Sequence, residues 1–241
     1  MKIFKEISKK LWLIRKAFFS NFIKVHYSQF GEDIVLKELL KKEKIKKYNG
    51  FFVDVGCYHP KKHSNTYMLY KAGWSGINID MEADKISLFN MARPRDWNVL
   101  APISDKKEKV NVYRFGKFGV GSTIDHNFAV ETGNAVYDTT ELFSKTLNEV
   151  IDESPYSGKQ IDVLSIDVEG MDYRVLSSLN LEAYQPKIII IESHHRSIEE
   201  ILDTDIYCLL KNQGYVLRSW TFYSLIFILP NADILKEREN V

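Results

Sequence analysis

Phe51-Phe52-Val53-Asp54-Val55-Gly56 decides the fold of this chain. The run is short and apolar, and it closes on an acid and a glycine. A second run, Ser75-Gly76-Ile77-Asn78-Ile79-Asp80, closes on another acid 24 positions after Gly56. Two such runs read as neighbouring parallel strands that deliver a tight turn and a ribose-binding carboxylate to one crevice.

Working outward, Tyr27-Ser28-Gln29-Phe30-Gly31-Glu32-Asp33 opens a helix that runs to about Lys47, where Asn49-Gly50 breaks the pattern. The loop Cys57 to Asn65 leads to a helix over 66–71, and a helix over 83–92 closes at Arg93-Pro94. Strand patterns follow at 97–103 and 110–115, then a polar, aperiodic stretch over 116–140 and a short helix over 146–151. A strand at 162–168 feeds a helix at 171–179, and the apolar strand 187–191 suits burial on both faces. A helix at 197–212 ends at Gly214. The last strands, 215–221 and 224–229, are too close for a crossover helix and make an antiparallel hairpin. The pattern is an α/β, doubly wound, mostly parallel sheet with one reversed edge strand.

The 241 residues suffice for one large α/β domain or a domain with an appendage. A formal net charge of +1 argues against a dedicated nucleic-acid binder. The charge is uneven: residues 1–24 carry seven Lys/Arg and the single acid Glu6. Two cysteines, Cys57 and Cys208, make neither a disulfide framework nor a zinc site and read as reduced thiols of a cytoplasmic protein. Apolar residues recur at helical spacing from Ile3 to Phe22, so residues 1–26 read as a basic amphipathic helix and 27–241 as the main domain. That helix either packs on its own domain or a twin subunit, or it touches an anionic membrane at the inner face of the cell through residues 1–24. Arg15-Lys16 interrupts its apolar stretch, which fits neither a secretory core nor a span.

Ligands of open parallel sheets bind beyond the strands' carboxyl ends. Here those ends carry Asp54/Gly56, Asp80, Ser104/Asp105, Asp167/Glu169 and Glu192/His194/His195. The first loop lacks the Gly-x-Gly-x-x-Gly fingerprint, and bulky Cys57, Tyr58, His59 and Pro60 follow Gly56. A pyrophosphate finds no backbone cradle there. S-adenosylmethionine, which has a ribose and an adenine but no phosphate, suits the loop better.

Several segments in order carry a resemblance. Ser28-Gln29-Phe30-Gly31-Glu32-Asp33, Phe52-Val53-Asp54-Val55-Gly56, Ser64-Asn65-Thr66, Gly73-Trp74-Ser75-Gly76-Ile77-Asn78-Ile79-Asp80 and Ile166-Asp167-Val168-Glu169-Gly170 resemble the FkbM family of S-adenosylmethionine-dependent methyltransferases. The resemblance covers roughly residues 27–230 and implies a seven-stranded, Rossmann-like methyltransferase sheet. It also implies O-methylation of a sugar hydroxyl in a polysaccharide or glycosylated natural product, and it places Asn65 among the cofactor-binding positions. Cys57 and the loop His59-Pro60-Lys61-Lys62-His63 depart from the family pattern.

Asp80 is expected to accept both ribose hydroxyls, or else to cap the next helix. Ser104 and Asp105 would flank the adenine, or else make a turn before a charged hairpin. Asp54 and Gly56 would shape the methionine pocket, Gln29 and Asp33 would fold over it, and Glu169 would take the cofactor's amino group. A sugar hydroxyl needs activation. Asp167, Glu192 and His194 are candidates to hold Mg²⁺, Mn²⁺ or Fe²⁺; alternatively His194 or His195, with Asp167, serves as the base, and His126 is a further candidate. The 116–140 stretch reads as an acceptor-side loop, and Tyr113, Tyr137, Trp220 and Tyr223 form either a sugar platform or core. The expected acceptor is a nucleotide-sugar or surface glycan, with a homo-oligomer open. The rival functions are a nicotinamide-dependent oxidoreductase and a membrane-surface adaptor.

Overall fold

The two opening runs lie side by side as parallel strands. A computed structural model of the protein describes residues 2–19, 24–42, 49–116, 119 and 121–230. Along the chain the elements are α1 (Lys2–Phe19), α2 (Glu32–Lys42), β1 (Phe51–Val55), α3 (Tyr67–Lys71), β2 (Ser75–Asp80), α4 (Ala83–Ala92) and β3 (Trp97–Leu100). Then follow β4 (Lys109–Arg114), α5 (His126–Glu131), β5 (Asp138–Phe143), α6 (Leu147–Glu153), β6 (Val163–Ile166), α7 (Asp172–Ser177) and α8 (Leu181–Tyr184). The chain continues through β7 (Ile188–Glu192), α9 (Ile198–Leu202), α10 (Asp205–Asn212), β8 (Val216–Thr221) and β9 (Ser224–Ile228). The expected continuation of α2 to Lys47, and of α1 through Phe22, lies outside the described residues.

Seven strands form one sheet in the order β3-β2-β1-β6-β7-β9-β8. The first five of these pair in parallel, and β9 runs against both of its neighbours. The chain winds outward from β1 to β3 and returns to β6, so the strand order reverses between β1 and β6, where Val55 faces Ile166. A crevice opens beyond the carboxyl ends at such a point. The side-chain period of two sends Phe51, Val53 and Val55 into one core layer and Phe52 into the other, which explains why the strand reads as an unbroken apolar run.

Two expectations change. The reversed strand is not at the edge: β9 sits inside, and β8, parallel to β7, takes the edge. Hydrophobicity decides the order, because Leu225, Ile226, Phe227 and Ile228 are all buried, whereas no residue of β8 is fully buried. The 116–140 stretch also has structure: Asp125 caps α5 by accepting from the Asn127 and Phe128 amides at 2.8 and 3.2 Å, and β5 pairs with β4 in a separate two-stranded hairpin. Most of β5 is exposed, so its sequence shows no alternation to read.

The layer against α3 and α4 is pinned by a buried cation. Arg93 is fully buried, stacked among the rings of Phe52, Tyr70 and Phe89 at 5.1–5.2 Å. Its Nε donates to Asp96 at 2.8 Å and its Nη1 to Thr66 Oγ1 at 3.0 Å. Thr66 in turn donates to Asp54 Oδ2 at 2.5 Å, and Asp96 accepts from the Gly76 amide and from Asn78. One guanidinium thus ties β1, β2, α3 and the end of α4. Replacing it strands two buried carboxylates. Arg93→Met is expected to lower the free energy of unfolding by about 3–5 kcal/mol, measured by urea denaturation; an unchanged midpoint would show that the network carries no stability.

Candidate active site

A cavity of about 200 Å³ lies at the switch point. Its floor is the ends of the parallel strands: Gly56 after β1, Asp80 at the end of β2, Ala101 to Ile103 after β3, Asp167 to Glu169 after β6, and Glu192 with His194 at β7. Gln29, Tyr58, His63, Ser122 and Tyr223 close over it. Gly56 has φ +78°, and a Cβ there would lie 1.7 Å from the carbonyl oxygen of Asp167, so the β1 and β6 turns touch backbone to backbone. Three non-glycine residues of the lining, Tyr58, His63 and Glu169, also have positive φ, at 41°, 54° and 52°. Backbone strain of this kind collects where a site must be held in shape.

Asp80 is buried at one end. Its Oδ1 accepts from the Glu82 amide at 2.9 Å and its Oδ2 from the Tyr58 amide at 3.3 Å. Glu82 is the N-cap residue of α4, so Asp80 is not the helix cap. Each of its oxygens keeps a free acceptor site. Burial raises the Asp80 carboxyl above its usual value, and Lys85, 3.8 Å away, opposes that. Lys85 also pairs with Glu82 at 2.7 Å, and Glu82 accepts from Ser122 Oγ at 2.7 Å. That chain of contacts fastens the 121–124 segment over β2.

The other end gathers acid. Burial, then the neighbouring carboxylates Glu192, Asp172 and Glu169, holds the Asp167 carboxyl well above its usual value. Glu192 is pushed up to about 9 by burial and by Asp172 and Glu169. Asp172 rises to about 7, chiefly by burial, and burial raises Glu169 as well. Glu192 Oε2 is buried with no hydrogen-bond partner among the described residues. A negative charge on Glu192 also raises Asp167, so the cluster resists carrying all of its charges at once. His194, about half exposed, reaches Glu192 Oε1 from the mouth at 3.1 Å.

The structure therefore brings Gln29, Gly56, Asp80, Asp167, Glu169, Glu192 and His194 to one hollow and places the other candidates elsewhere. Asp54 faces the opposite layer, bound by Thr66. Asp33 accepts from the Tyr27 amide and Ser28 Oγ, both at 2.8 Å, and fixes the turn that aims Gln29 inward. Asn65 donates to Ser165 at 3.1 Å. Ser104 donates to Asp105, and Asp105 is held below its usual value by Arg174, 2.9 Å away. The wall after β3 is instead apolar Ala101, Pro102 and Ile103, because the strand stops at Leu100. His195 bonds Ser193, and His126 bonds Tyr113; neither lines the cavity. Of the aromatic candidates Tyr223 alone lines it, 4.8 Å from His194. Tyr58, Glu82 and Lys85 join the site beyond the residues expected of it, and the expected acceptor-side loop contributes Gly121, Ser122 and Ile124 to the lining. Lys85 stands three residues after Glu82, a spacing that signals a pair. As to a metal, ligand atoms of Glu169, Glu192 and His194 lie within 4.8 Å of one another, so Glu169 stands in this group where Asp167 was expected.

A crevice at the switch point of a seven-stranded sheet, with no glycine-rich phosphate cradle after β1 and an acid ending β2, fits an enzyme of the methyltransferase type. Residues 54–217 match the methyltransferase FkbM domain, and the chain belongs to that family. No curated protein matches it. Among solved structures it is similar to a TehB-like SAM-dependent methyltransferase from Corynebacterium glutamicum, with 10% identity over 95% of this chain and 100% of that one and a TM-score of 0.41. It is also similar to a protein assigned as a ribosomal RNA methyltransferase from Plasmodium falciparum, with 16% identity over 86% of this chain and 98% of that one and a TM-score of 0.41. These likenesses are distant, and the family assignment does not rest on them. The family implies S-adenosylmethionine, a cation, and the residues fit it: carboxyl groups crowd one end of the cavity, and buried Glu192 Oε2 has no hydrogen-bond partner among the described residues.

The acid cluster leaves a signature in stability. The folded protein holds on Glu192 a proton that the unfolded chain releases near pH 4.5, so stability falls as pH rises from there to about 9. Glu192→Gln removes that penalty. The variant's Tm is expected to match the wild type at pH 5 and exceed it at pH 8, by roughly 2–4 °C for each kcal/mol relieved. Equal Tm values at both pH values would place Glu192 in solvent.

Proposed function

We propose that the protein is an S-adenosylmethionine-dependent O-methyltransferase acting on a sugar hydroxyl of a nucleotide-sugar or surface-polysaccharide precursor. The observation that carries this reading is the gathering, in one cavity, of Asp80 at one end and Asp167, Glu169 and Glu192 at the other. The cofactor would supply an electrophilic methyl group. Asp80 would accept the ribose hydroxyls through its free acceptor sites. Ala101, Pro102 and Ile103 offer the adenine an apolar wall. Glu169 and Asp167 would face the cationic end, and a positive charge beside them would favour their ionised form.

Glu192 would then be the proton acceptor for the hydroxyl. Its carboxyl, raised to about 9 in the empty site, would give up its proton when the cofactor's positive charge arrives; the resulting carboxylate would take the hydroxyl's proton, and His194 would hand it on to solvent from the mouth. The rim supports a sugar acceptor: Phe30 stacks on Phe222 at 4.6 Å, and Tyr223 packs edge-on at 4.7–5.5 Å, giving a partly exposed apolar face. A second reading follows from the grouping of Glu169, Glu192 and His194, which would hold a divalent cation to acidify the hydroxyl. Chelator in the transfer assay separates the two, since only the metal reading loses activity.

A thermal-shift titration tests the cofactor. S-adenosylhomocysteine is expected to stabilise the protein by about 2.7 kcal/mol at a hundred times its Kd. Asp80→Ala is expected to abolish that shift, and NAD(H) to give none. No shift in the wild type, or an undiminished one in Asp80→Ala, contradicts the proposal. Mass-spectrometric detection of methyl transfer to a panel of nucleotide-sugars tests the acceptor class.

A further inference from the structure

Among its described side chains, helix α1 buries none. Every residue from Phe4 to Phe19 is exposed. Phe4, Leu11 and Phe18 are 82, 62 and 78% exposed, and Ile7 and Ile14 are 52 and 42% exposed. These five recur in steps of 3, 4, 3 and 4, which aligns them in one apolar seam. At 100° per residue, Lys5, Lys9 and Lys16 stand opposite the seam, and Lys10 and Arg15 flank it on either side. The helix carries six cations against Glu6 alone. A soluble domain leaves so continuous an apolar stripe bare only where something else covers it.

We infer that α1 lies in the surface of an anionic phospholipid membrane, its seam among the acyl chains and its lysines toward the headgroups. Charge chooses this occupant. A second copy of the helix could fill the seam, but it would set Lys10 and Arg15 against the same cations of its twin, with only Glu6 to oppose them. An anionic surface turns each of those charges from repulsive to attractive. Trp12, 58% exposed, with Lys16 5.8 Å over its ring, fits the headgroup layer, where amphipathic rings settle. The helix lies on the surface and does not cross it: among the described residues no helix is long and apolar enough to span. Ten residues separate Phe19 from Gln29 in the cavity lining, so the site stays within about 36 Å of the anchor. An acceptor carried on the same membrane is then within reach, and this last step rests on the function proposed above.

Co-sedimentation of the full chain with phosphatidylcholine vesicles, with and without phosphatidylglycerol, tests the inference. Binding to the anionic vesicles should be at least about tenfold tighter, should weaken at high salt, and should be lost in Leu11→Asp and in the triple variant Lys5→Glu, Lys9→Glu, Lys16→Glu. Both variants change only exposed positions, so the S-adenosylhomocysteine thermal shift should survive in them, which separates this inference from the cofactor reading. Absence of vesicle binding, or equal binding to both lipids, overturns it. So does a dimer in light scattering that Leu11→Asp splits while the wild type ignores anionic vesicles.

Discussion

The fold depends on two strands that touch where their paths diverge. β1 and β6 pair edge to edge, and the turns that leave them are pressed so close that only a glycine fits against the Asp167 carbonyl. From that contact the chain is driven outward on both sides, and a hollow is left above it. Whatever stands at the end of each strand must face that hollow. In this protein acids stand there, away from water and with few donors. Burying ionisable groups costs free energy, which raises the carboxyl groups of this cluster above their usual values, that of Glu192 to about 9.

The two ends of the same sheet handle buried charge in opposite ways. Asp54 and Asp96, on the layer against α3 and α4, are joined to Arg93 through direct and Thr66-mediated hydrogen bonds, and the guanidinium is packed among three rings. That network gives each carboxylate a cationic or hydroxyl donor, although Arg93 Nη2 and Asn78 Oδ1 keep no hydrogen-bond partner among the described residues. Among the described residues no lysine or arginine forms an ion pair with Asp167, Glu169 or Glu192; Lys85 acts on Glu169 only across the cavity, and His194 stands at the mouth. An electrostatically unfinished site is one that a cation completes. The cofactor implied by the family carries its charge on sulfur and on its amino group, and the acidic end is complementary to both.

Much of this was legible in the sequence because strand ends are local. The apolar runs fixed β1, β2, β6 and β7, and the acids just past them fell in the cavity wherever the run length was right. Asp54 missed because it lies inside its strand, where the period of two turns it to the far layer with Phe52. Ser104 and Asp105 missed because β3 stops at Leu100, which hands the wall to the apolar residues that follow. Long-range partners were beyond reach: Arg174 stands 69 residues from the Asp105 it holds, and Ser122 stands 40 from Glu82. The place of β9 inside the sheet follows from comparing the two hairpin strands for apolar content, a comparison that adjacency alone does not prompt.

The central claim is that the hollow holds its carboxyl groups neutral until a cation arrives. Carbon-13 NMR of labelled glutamate and aspartate side chains reads this directly. In the ligand-free protein the Glu192 carboxyl should remain protonated at pH 7.5, consistent with its rise to about 9, and should shift to the ionised form on adding S-adenosylmethionine. A Glu192 that titrates near its ordinary value, with no response to the cofactor, would contradict the account.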